Sequence, residues 1–400
     1  MFWDVMEKLN IIALTLYKRG RCFFTNNIYV LVFVVVLGCK DIIALANPVN
    51  IDKNCKITTS IYEGIRATKS CKIAFNNSQD IIIGDMYNNR CPGIEISPGI
   101  TLIIQIRGCG NINVYGGSLN SWDNGYSYAG IYVPTGATLV IEGNKTGVLN
   151  ALGYLGAAGI GGCGVAMKSR DMDYSMINAG SIYIKSGTIV ASSSCSCFNN
   201  SFGGVGAGIG GGGVFNAIDR ENLIGGSLDF IEISGGNVTA MGGGCTDCDG
   251  IGAGIGGGGV CNIASKVGNI RGGNLNKIRI AGGVITARGG SNNNIKGLGA
   301  GIGGGGIFNE KACPRIYEGQ LIEFENIKDE RLNAASGYKD GADIGSGSVN
   351  CNNTCIKGSL PVYNLDTEFI GVRDVLAKSR DKIFSTILMF FAGIIVMIGK

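Results

Sequence analysis

Closely spaced cysteines are the residues of this chain whose pattern most clearly indicates chemistry. Thirteen of the 15 cysteines follow Ala46, and three pairs are separated by only one to three residues: Cys195/Cys197, Cys245/Cys248 and Cys351/Cys355. In an exported chain such pairs predict disulfides, because oxidising compartments favour paired thiols. The first two pairs could instead bind zinc as a site of four cysteines. Export favours disulfides, and we assign no metal-binding residues.

An aromatic segment is the candidate for ligand binding. Its aromatic residues are accompanied by one carboxylate: Trp122, Asp123, Tyr126, Tyr128 and Tyr132. Aromatic rings offer a large contact area, and tyrosine and tryptophan add a polar group, so this set could stack on a sugar and hydrogen-bond it. The alternative is that the same side chains pack over the first coil of the fold.

Residues for catalysis are scarce. The sequence contains no His, which excludes a Ser-His-Asp triad and a His-ligated metal. Asp247 and Asp249 have no acidic counterparts in the neighbouring repeats, and Arg279 and Arg288 are not accompanied by clustered Asp. A G-x-G-x-x-G pattern occurs three times but lacks the following helix that dinucleotide binding requires. We therefore expect a protein that is not an enzyme and that uses no cofactor.

The charge distribution argues against nucleic-acid binding. The net charge is +4, but residues 1–46 contribute +2 and residues 373–400 contribute +3, which leaves −1 for residues 47–372. A nucleic-acid-binding surface needs concentrated positive charge. The body of this protein does not have that composition.

Both ends resemble targeting segments. An apolar run over residues 28–38 is followed by Ala44-Leu45-Ala46, which predicts a signal peptide over residues 1–46, with a retained anchor as the alternative. Residues 383–400 form a hydrophobic tail. Ala377 or Ser379 would then carry a GPI anchor, or the tail would be a membrane helix; a buried core helix is the third interpretation.

The expected location is therefore extracellular, at a cell surface or in a cell or spore wall, with the C-terminal tail as membrane anchor. Five N-x-[S/T] motifs would accept glycans in a eukaryotic exported chain. They are Asn76, Asn144, Asn199, Asn237 and Asn352.

The body of the chain is repetitive. Near-identical glycine-rich blocks span Gly204–Asn216, Gly250–Asn262 and Gly297–Asn309, at spacings of 46 and 47 residues. Short units in which apolar and polar residues alternate precede the blocks, for example Ile231–Ala240. This alternation predicts β-strands. Fixed spacing of short strands and glycine corners predicts an all-β parallel β-helix, with a β-sandwich array as the alternative. We expect each repeat to hold two coils of roughly 23 residues.

The register of these blocks predicts two columns of inward side chains. One column is Ile209, Ile255 and Ile302, and the other is Phe215, Cys261 and Phe308. Cys261 should then be a buried thiol outside any disulfide. With two coils per repeat, equivalent loops lie about 10 Å apart, beyond disulfide reach. We therefore expect local Cys245–Cys248 closure or a bridge between protruding loops.

These glycine blocks carry a resemblance. The segment Ile131–Gly143 resembles part of the pectin-lyase-like right-handed β-helix of microbial surface proteins. The I-x-I-x-G-G-x-[VI]-T-A and G-A-G-I-G-G-G units resemble the glycine signature of the same proteins. The resemblance covers residues 131–350. Together with the end segments, the repeat region divides the chain into a leader (1–46), an N-terminal cap (47–130), a solenoid (131–350), a stalk (351–382) and an anchor segment (383–400).

The resemblance implies a structural or adhesive role in a surface coat or in a spore or cyst wall. The expected partners are the membrane, through the tail, and wall polysaccharide or other coat proteins, but not nucleic acid. A polysaccharide lyase or hydrolase on a β-helix is one alternative function, and a carbohydrate-binding module is another. The galacturonases of this fold use a Gly-His-Gly segment, which a chain without His cannot supply.

The coil register makes a stability prediction. Ile255→Asp should be severely destabilising, because it places an unpaired carboxylate in the stacked interior, at a cost on the order of several kcal/mol. Ser291→Asp, in an outer loop, should be nearly neutral. Chemical denaturation of both variants is the measurement, and equal losses of stability would contradict the register.

Overall fold

The protein is a right-handed parallel β-helix. The computed structural model describes residues 48–76, 78–85, 91–117, 125–144, 146–167, 174–194, 205–244, 251–290, 298–310, 315–326, 332–336, 342–351 and 354–356. Within these ranges the secondary structure consists of strands and one 3₁₀ turn, Ser175–Ile177. The prediction of an all-β solenoid is confirmed.

Three long sheets form the walls of the solenoid. Sheet 1 contains nine strands, in the order Val49–Ile51, Ile65–Ala67, Ile94–Ile96, Ile131–Tyr132, Ile160–Gly161, Ile209–Gly210, Ile255–Gly256, Ile302–Gly303 and Ile344–Gly345. Sheet 2 contains Cys55–Ile57, Cys71–Phe75, Thr101–Ile106, Thr138–Gly143, Ala179–Ile184, Leu228–Ile233, Leu275–Ile280 and Leu321–Asn326. Sheet 3 contains Ile81–Ile83, Asn111–Tyr115, Val148–Gly153, Thr188–Ser193, Asn237–Met241, Val284–Arg288 and Leu332–Ala335.

Two further sheets form a lateral lobe beside this solenoid. Sheet 4 contains Tyr126–Ser127, Gly164–Met167, Val214–Asn216, Val260–Asn262, Ile307–Asn309, Val349–Cys351 and Thr354–Ile356. Sheet 5 contains Arg220–Ile224, Val267–Arg271 and Arg315–Tyr317. A full coil therefore runs through sheets 1, 4, 5, 2 and 3 in that order.

Each sequence repeat is one coil, so the prediction of two coils per repeat was wrong. Ile209 pairs directly with Ile255, and Ile255 pairs directly with Ile302, in neighbouring parallel strands of sheet 1. The coil is long because it has five strands rather than three. Sheets 4 and 5 add an outward excursion to every repeat.

The N-terminal coils are shorter and lack sheet 5. Successive sheet 1 strands begin at Val49, Ile65, Ile94 and Ile131. Residues 49–115 already contribute strands to sheets 1, 2 and 3, so the segment that we expected to cap the solenoid contains its first coils. These coils lack the glycine blocks, and their strands therefore carry no sequence repeat.

Two separate hydrophobic cores lie inside these walls. The main core, between sheets 1, 2 and 3, includes Ile209, Ile255 and Ile302, all fully buried, which confirms the isoleucine column. A second core lies between sheets 4 and 5 and includes Val260 and Ile270. The burial of Ile255 supports the severe cost expected for Ile255→Asp, whereas Ser291 lies outside the described residues.

The column of Phe215, Cys261 and Phe308 does not face either main core, so its inward assignment was wrong. Val260 already faces sheet 5, and successive side chains of a strand point to opposite faces. Cys261 therefore faces the other side of sheet 4, where it packs in a separate small cluster with Ile251. It is nevertheless a buried thiol.

A column of glycines separates the two cores, and we call it the glycine seam: Gly212, Gly226, Gly258, Gly273 and Gly305. Along the solenoid axis, segments that leave the solenoid for the lobe alternate with segments that return from the lobe. The N–H groups of Gly226, Gly258, Gly273 and Gly305 donate in turn to the carbonyls of Gly212, Gly226, Gly258 and Gly273, at 2.8–3.0 Å. A Cβ on Gly212 or Gly258 would overlap backbone carbonyls. The seam therefore requires glycine for close approach of the backbone.

The corner after the sheet 1 isoleucine of each glycine-rich block also requires glycine. Gly256 has a φ of 139°, a conformation that side-chain-bearing residues rarely adopt. A Cβ at this position would overlap the carbonyl of Gly303 in the next coil. The same conformation recurs at Gly210 and Gly303, both with a φ of 139°. This recurrence explains why the A-G-I-G-G unit repeats.

A buried asparagine ladder closes the second core. The Nδ2 group of Asn216 donates to Oδ1 of Asn262 at 2.7 Å, and Nδ2 of Asn262 donates to Oδ1 of Asn309 at 2.6 Å. Each of the first two amides also binds its own turn, through the carbonyls of Ile218 and Ala264. All three asparagines are at most 1% exposed.

The ladder predicts that Asn262→Asp is strongly destabilising. A carboxylate cannot donate, so it would face the Oδ1 atom of Asn309 and the carbonyl of Ala264 without protons. Leaving a buried charge without a compensating partner costs about 3–5 kcal/mol. The matched control is Asn269→Asp, because Asn269 pairs with Asn222 at 2.8 Å in an exposed ladder. There the loss should stay below about 1 kcal/mol. Urea denaturation of both variants tests this, and a small loss for Asn262→Asp would contradict it.

Candidate functional site

The aromatic segment divides between two packed clusters. Tyr126 packs against the second core, whereas Tyr128 and Tyr132 pack in a small cluster with Cys163. Tyr132 is only 8% exposed. The structure therefore brings Tyr128 and Tyr132 together in one cluster, whereas Tyr126 packs against a different core. Trp122 and Asp123 lie outside the described residues.

A cluster of titratable groups occupies the outer face of sheet 1 beside these tyrosines. The strand register aligns Arg66, Glu95 and Tyr132 in one column across three coils. The guanidinium of Arg66 donates through Nε to Oε2 of Glu95 at 2.9 Å, and its Nη2 lies 2.9 Å from the same oxygen. Cys91 lies alongside, and its Sγ donates to the carbonyl of Glu63 at 3.1 Å. We call the set of Arg66, Glu95, Tyr132, Cys91 and Glu63 the sheet 1 cluster.

Burial keeps the thiols of this region protonated. It raises the pKa of Cys91 to about 11, with a further contribution from the negative charge of Glu95. Burial also raises the pKa of Cys163 to about 12. Because the thiolate is the nucleophilic form of cysteine, neither side chain supplies a nucleophile near neutral pH.

The pKa values of two neighbouring acidic groups are also raised. Burial raises the pKa of the Glu63 carboxyl and of the Tyr128 hydroxyl. The cluster thus combines one ion pair with side chains that favour their neutral forms, and it can offer hydrogen bonds rather than a strong base. Among the residues that the structure describes, no three His, Cys, Asp or Glu side chains could hold a metal ion together.

The burial of these thiols predicts their reactivity. In the reduced, folded protein at pH 8, Cys163 and Cys91 should react with iodoacetamide far more slowly than Cys109, which is exposed. Unfolding in guanidinium should make the three rates similar, because desolvation is lost. Mass spectrometry of labelled peptides over time gives the rates. Fast labelling of Cys163 in the folded state would contradict its burial.

The predicted disulfide positions are only partly described. Cys195, Cys197, Cys245 and Cys248 lie outside the described residues. The backbones of Cys351 and Cys355 lie in a hairpin in which Cys351 pairs with Thr354. Because one repeat is one coil, equivalent strand positions of successive coils lie about 4.8 Å apart rather than about 10 Å. The distance argument against a bridge between coils was therefore wrong.

The glycosylation motifs differ in how their amides are used. Nδ2 of Asn144 donates to the carbonyls of Arg107 and Gly108 at 2.7 and 3.0 Å. Its Oδ1 accepts from the N–H groups of Thr146 and Gly147 at 3.2 and 2.9 Å. A glycan on Nδ2 would remove one of these donors. Asn144 therefore acts as a corner residue between two coils.

The other acceptors are in different positions. Asn76 and Asn237 are exposed, whereas Asn199 and Asn352 lie outside the described residues. For the chain secreted from a eukaryotic host, we expect higher glycan occupancy at Asn237 than at Asn144, because folding sequesters the Asn144 amide. Glycopeptide mapping with peptide-N-glycosidase in heavy-oxygen water measures occupancy. Full occupancy at Asn144 in folded protein would contradict the expectation.

The remaining outer surface consists of side-chain columns that run along the axis. On sheet 2, Arg279 binds Glu232 at 3.3 Å on one side and Glu325 at 3.5 Å on the other. The rings of Tyr183 and Phe230 lie 5.3 Å apart on the same sheet. Such pairs connect neighbouring coils. The sequence analysis missed them, although equal spacing within the repeats is the signal that aligns them.

The targeting segments lie outside the described residues. The leader to residue 46 and the tail with Ala377 and Ser379 are both in this category. Across the ranges that the structure describes, no helix has the length and apolar character needed to span a membrane. Comparison with known protein families, curated proteins and solved structures finds no match to this chain.

Proposed function

We propose that this protein is a non-catalytic structural or adhesive component of a cell-surface coat or of a cell or spore wall. One observation carries the proposal: the internal repeat is accounted for by contacts that stack coils. The isoleucine column, the glycine seam and the asparagine ladder use the repeated positions, and each joins one coil to the next. A sequence that repeats these contacts from coil to coil specifies a stiff rod.

The dimensions support this role. Nine strands stack in sheet 1, and at about 4.8 Å per coil they span about 40 Å. Every step of this length is held by backbone hydrogen bonds of parallel strands. A rod of this kind can hold a binding surface away from an anchor, or it can form part of a layer.

The finer parts of the proposal rest on the sequence. We propose export by the leader, disulfides among the loop cysteines, N-glycosylation, and attachment through the C-terminal tail as a GPI anchor or a membrane helix. Wall polysaccharide or other coat proteins would be the partners. Mass spectrometry of both mature termini tests cleavage after Ala46 and loss of the tail in one measurement.

A polysaccharide-active enzyme is the competing function, and the sheet 1 cluster offers its best carboxylates. The full-length protein should release no unsaturated or reducing sugars from pectic, chitin or glycosaminoglycan substrates. Turnover that disappears in both Glu63→Gln and Glu95→Gln would overturn the proposal. The matched controls are Glu232→Gln and Glu325→Gln, because these carboxylates belong to a surface ion-pair column. Loss of turnover in all four variants would indicate a stability effect.

A further inference from the structure

The lateral lobe carries a groove on the outer side of sheet 5, away from the sheet 1 cluster. Its volume is about 1040 Å³, and it lies against the first two strands of the sheet, Arg220–Ile224 and Val267–Arg271. This size is comparable to the upper range of ligand sites, about 300–1,000 Å³. The groove is open and polar, and the role in stacking coils does not explain it.

The floor of the groove presents amides and bare backbone. Nδ2 of Asn269 donates to Oδ1 of Asn222 at 2.8 Å, and both residues line the groove. This leaves the Nδ2 group of Asn222 and the Oδ1 atom of Asn269 for a ligand. Gly268 lies within the strand Val267–Arg271, and a Cβ there would overlap the carbonyl of Glu221 in the neighbouring strand. Glycine at this position therefore lets the two strands approach closely and adds no side chain to the groove.

The walls of the groove carry balanced charges. Asp219 and Glu221 supply two carboxylates, and Arg220 and Lys266 supply two cations. The guanidinium of Arg220 lies over the ring of Tyr174, 5.6 Å from its centre, which fixes the position of this cation. A groove without excess charge does not select a polyanion. Alternating donors and acceptors instead match hydroxyl groups, each of which both donates and accepts.

We propose that this sheet 5 groove binds a neutral oligosaccharide. The inference rests on the proposed function and names the class of its wall partner. The amide pair would hydrogen-bond adjacent hydroxyls, the charged walls would bind further hydroxyls, and the glycine floor would admit the sugar ring close to the backbone. A linear glycan lying along the axis would follow the same direction as the amide ladder.

The experiment uses the full chain and defined hexasaccharides of cellulose, chitin and starch type, with a sulfated heparin hexasaccharide as the anionic probe. Isothermal titration should detect binding of at least one neutral probe and weaker or no binding of the sulfated one. The double variant Asn222→Ala/Asn269→Ala should weaken that binding by about tenfold or more, since two hydrogen-bonding groups are lost.

The matched control is Asn113→Ala/Asn150→Ala. These residues form the same kind of amide pair, at 2.9 Å, on sheet 3, and their removal should leave glycan binding unchanged. Thermal unfolding of both double variants confirms that they are folded. Unchanged binding in the groove variant, equal losses in both variants, no binding of any neutral probe, or tighter binding of the sulfated probe would each overturn the inference. None of these results affects the sugar-release assay or the analysis of mature termini, so a failure here is distinguishable from failure of the proposed function.

Discussion

The fold depends on how closely two backbone segments can approach at the glycine seam. Every full coil crosses the boundary between the two hydrophobic cores twice, once outward through residues such as Gly258 and once inward through residues such as Gly273. The two crossings hydrogen-bond to each other at 2.9 Å. No Cβ fits between them. Without this approach the lobe would separate from the solenoid, and the two cores would each lose a wall.

The seam also determines where polar backbone groups go. A chain that leaves one core and enters another must take its N–H and C=O groups through an apolar region, where unpaired groups are costly. At the seam, the backbone N–H and C=O groups of the outgoing and returning glycines hydrogen-bond to each other. The asparagine ladder does the same for the turn between sheets 4 and 5, where Asn262 binds both its neighbours and its own turn. One repeated solution to a single problem thus accounts for the glycines that recur at the seam in each repeat.

The sequence predicted the fold class because its strands and corners repeat, but it did not predict the coil. Equal spacing identifies which residues stack, such as Ile209 over Ile255, but not how many corners lie between them. The sheet 1 cluster could not be found from spacing at all. Arg66, Glu95 and Tyr132 belong to coils of unequal length, so only the strand register brings them together. The sheet 5 groove was missed because its amides are spread over two repeats, where each resembles an ordinary surface residue.

The ends of sheet 4 show how such a stack can be limited. At the end nearer the N-terminus, Tyr126–Ser127 pairs antiparallel with Gly164–Met167. At the end nearer the C-terminus, Thr354–Ile356 pairs antiparallel with Val349–Cys351. A parallel coil needs the same chain direction in each layer, so a reversed strand at the edge does not continue the pattern. Exposed strand edges otherwise favour uncontrolled pairing between molecules. Among the described residues, sheet 4 therefore has a reversed strand at each of its two edges.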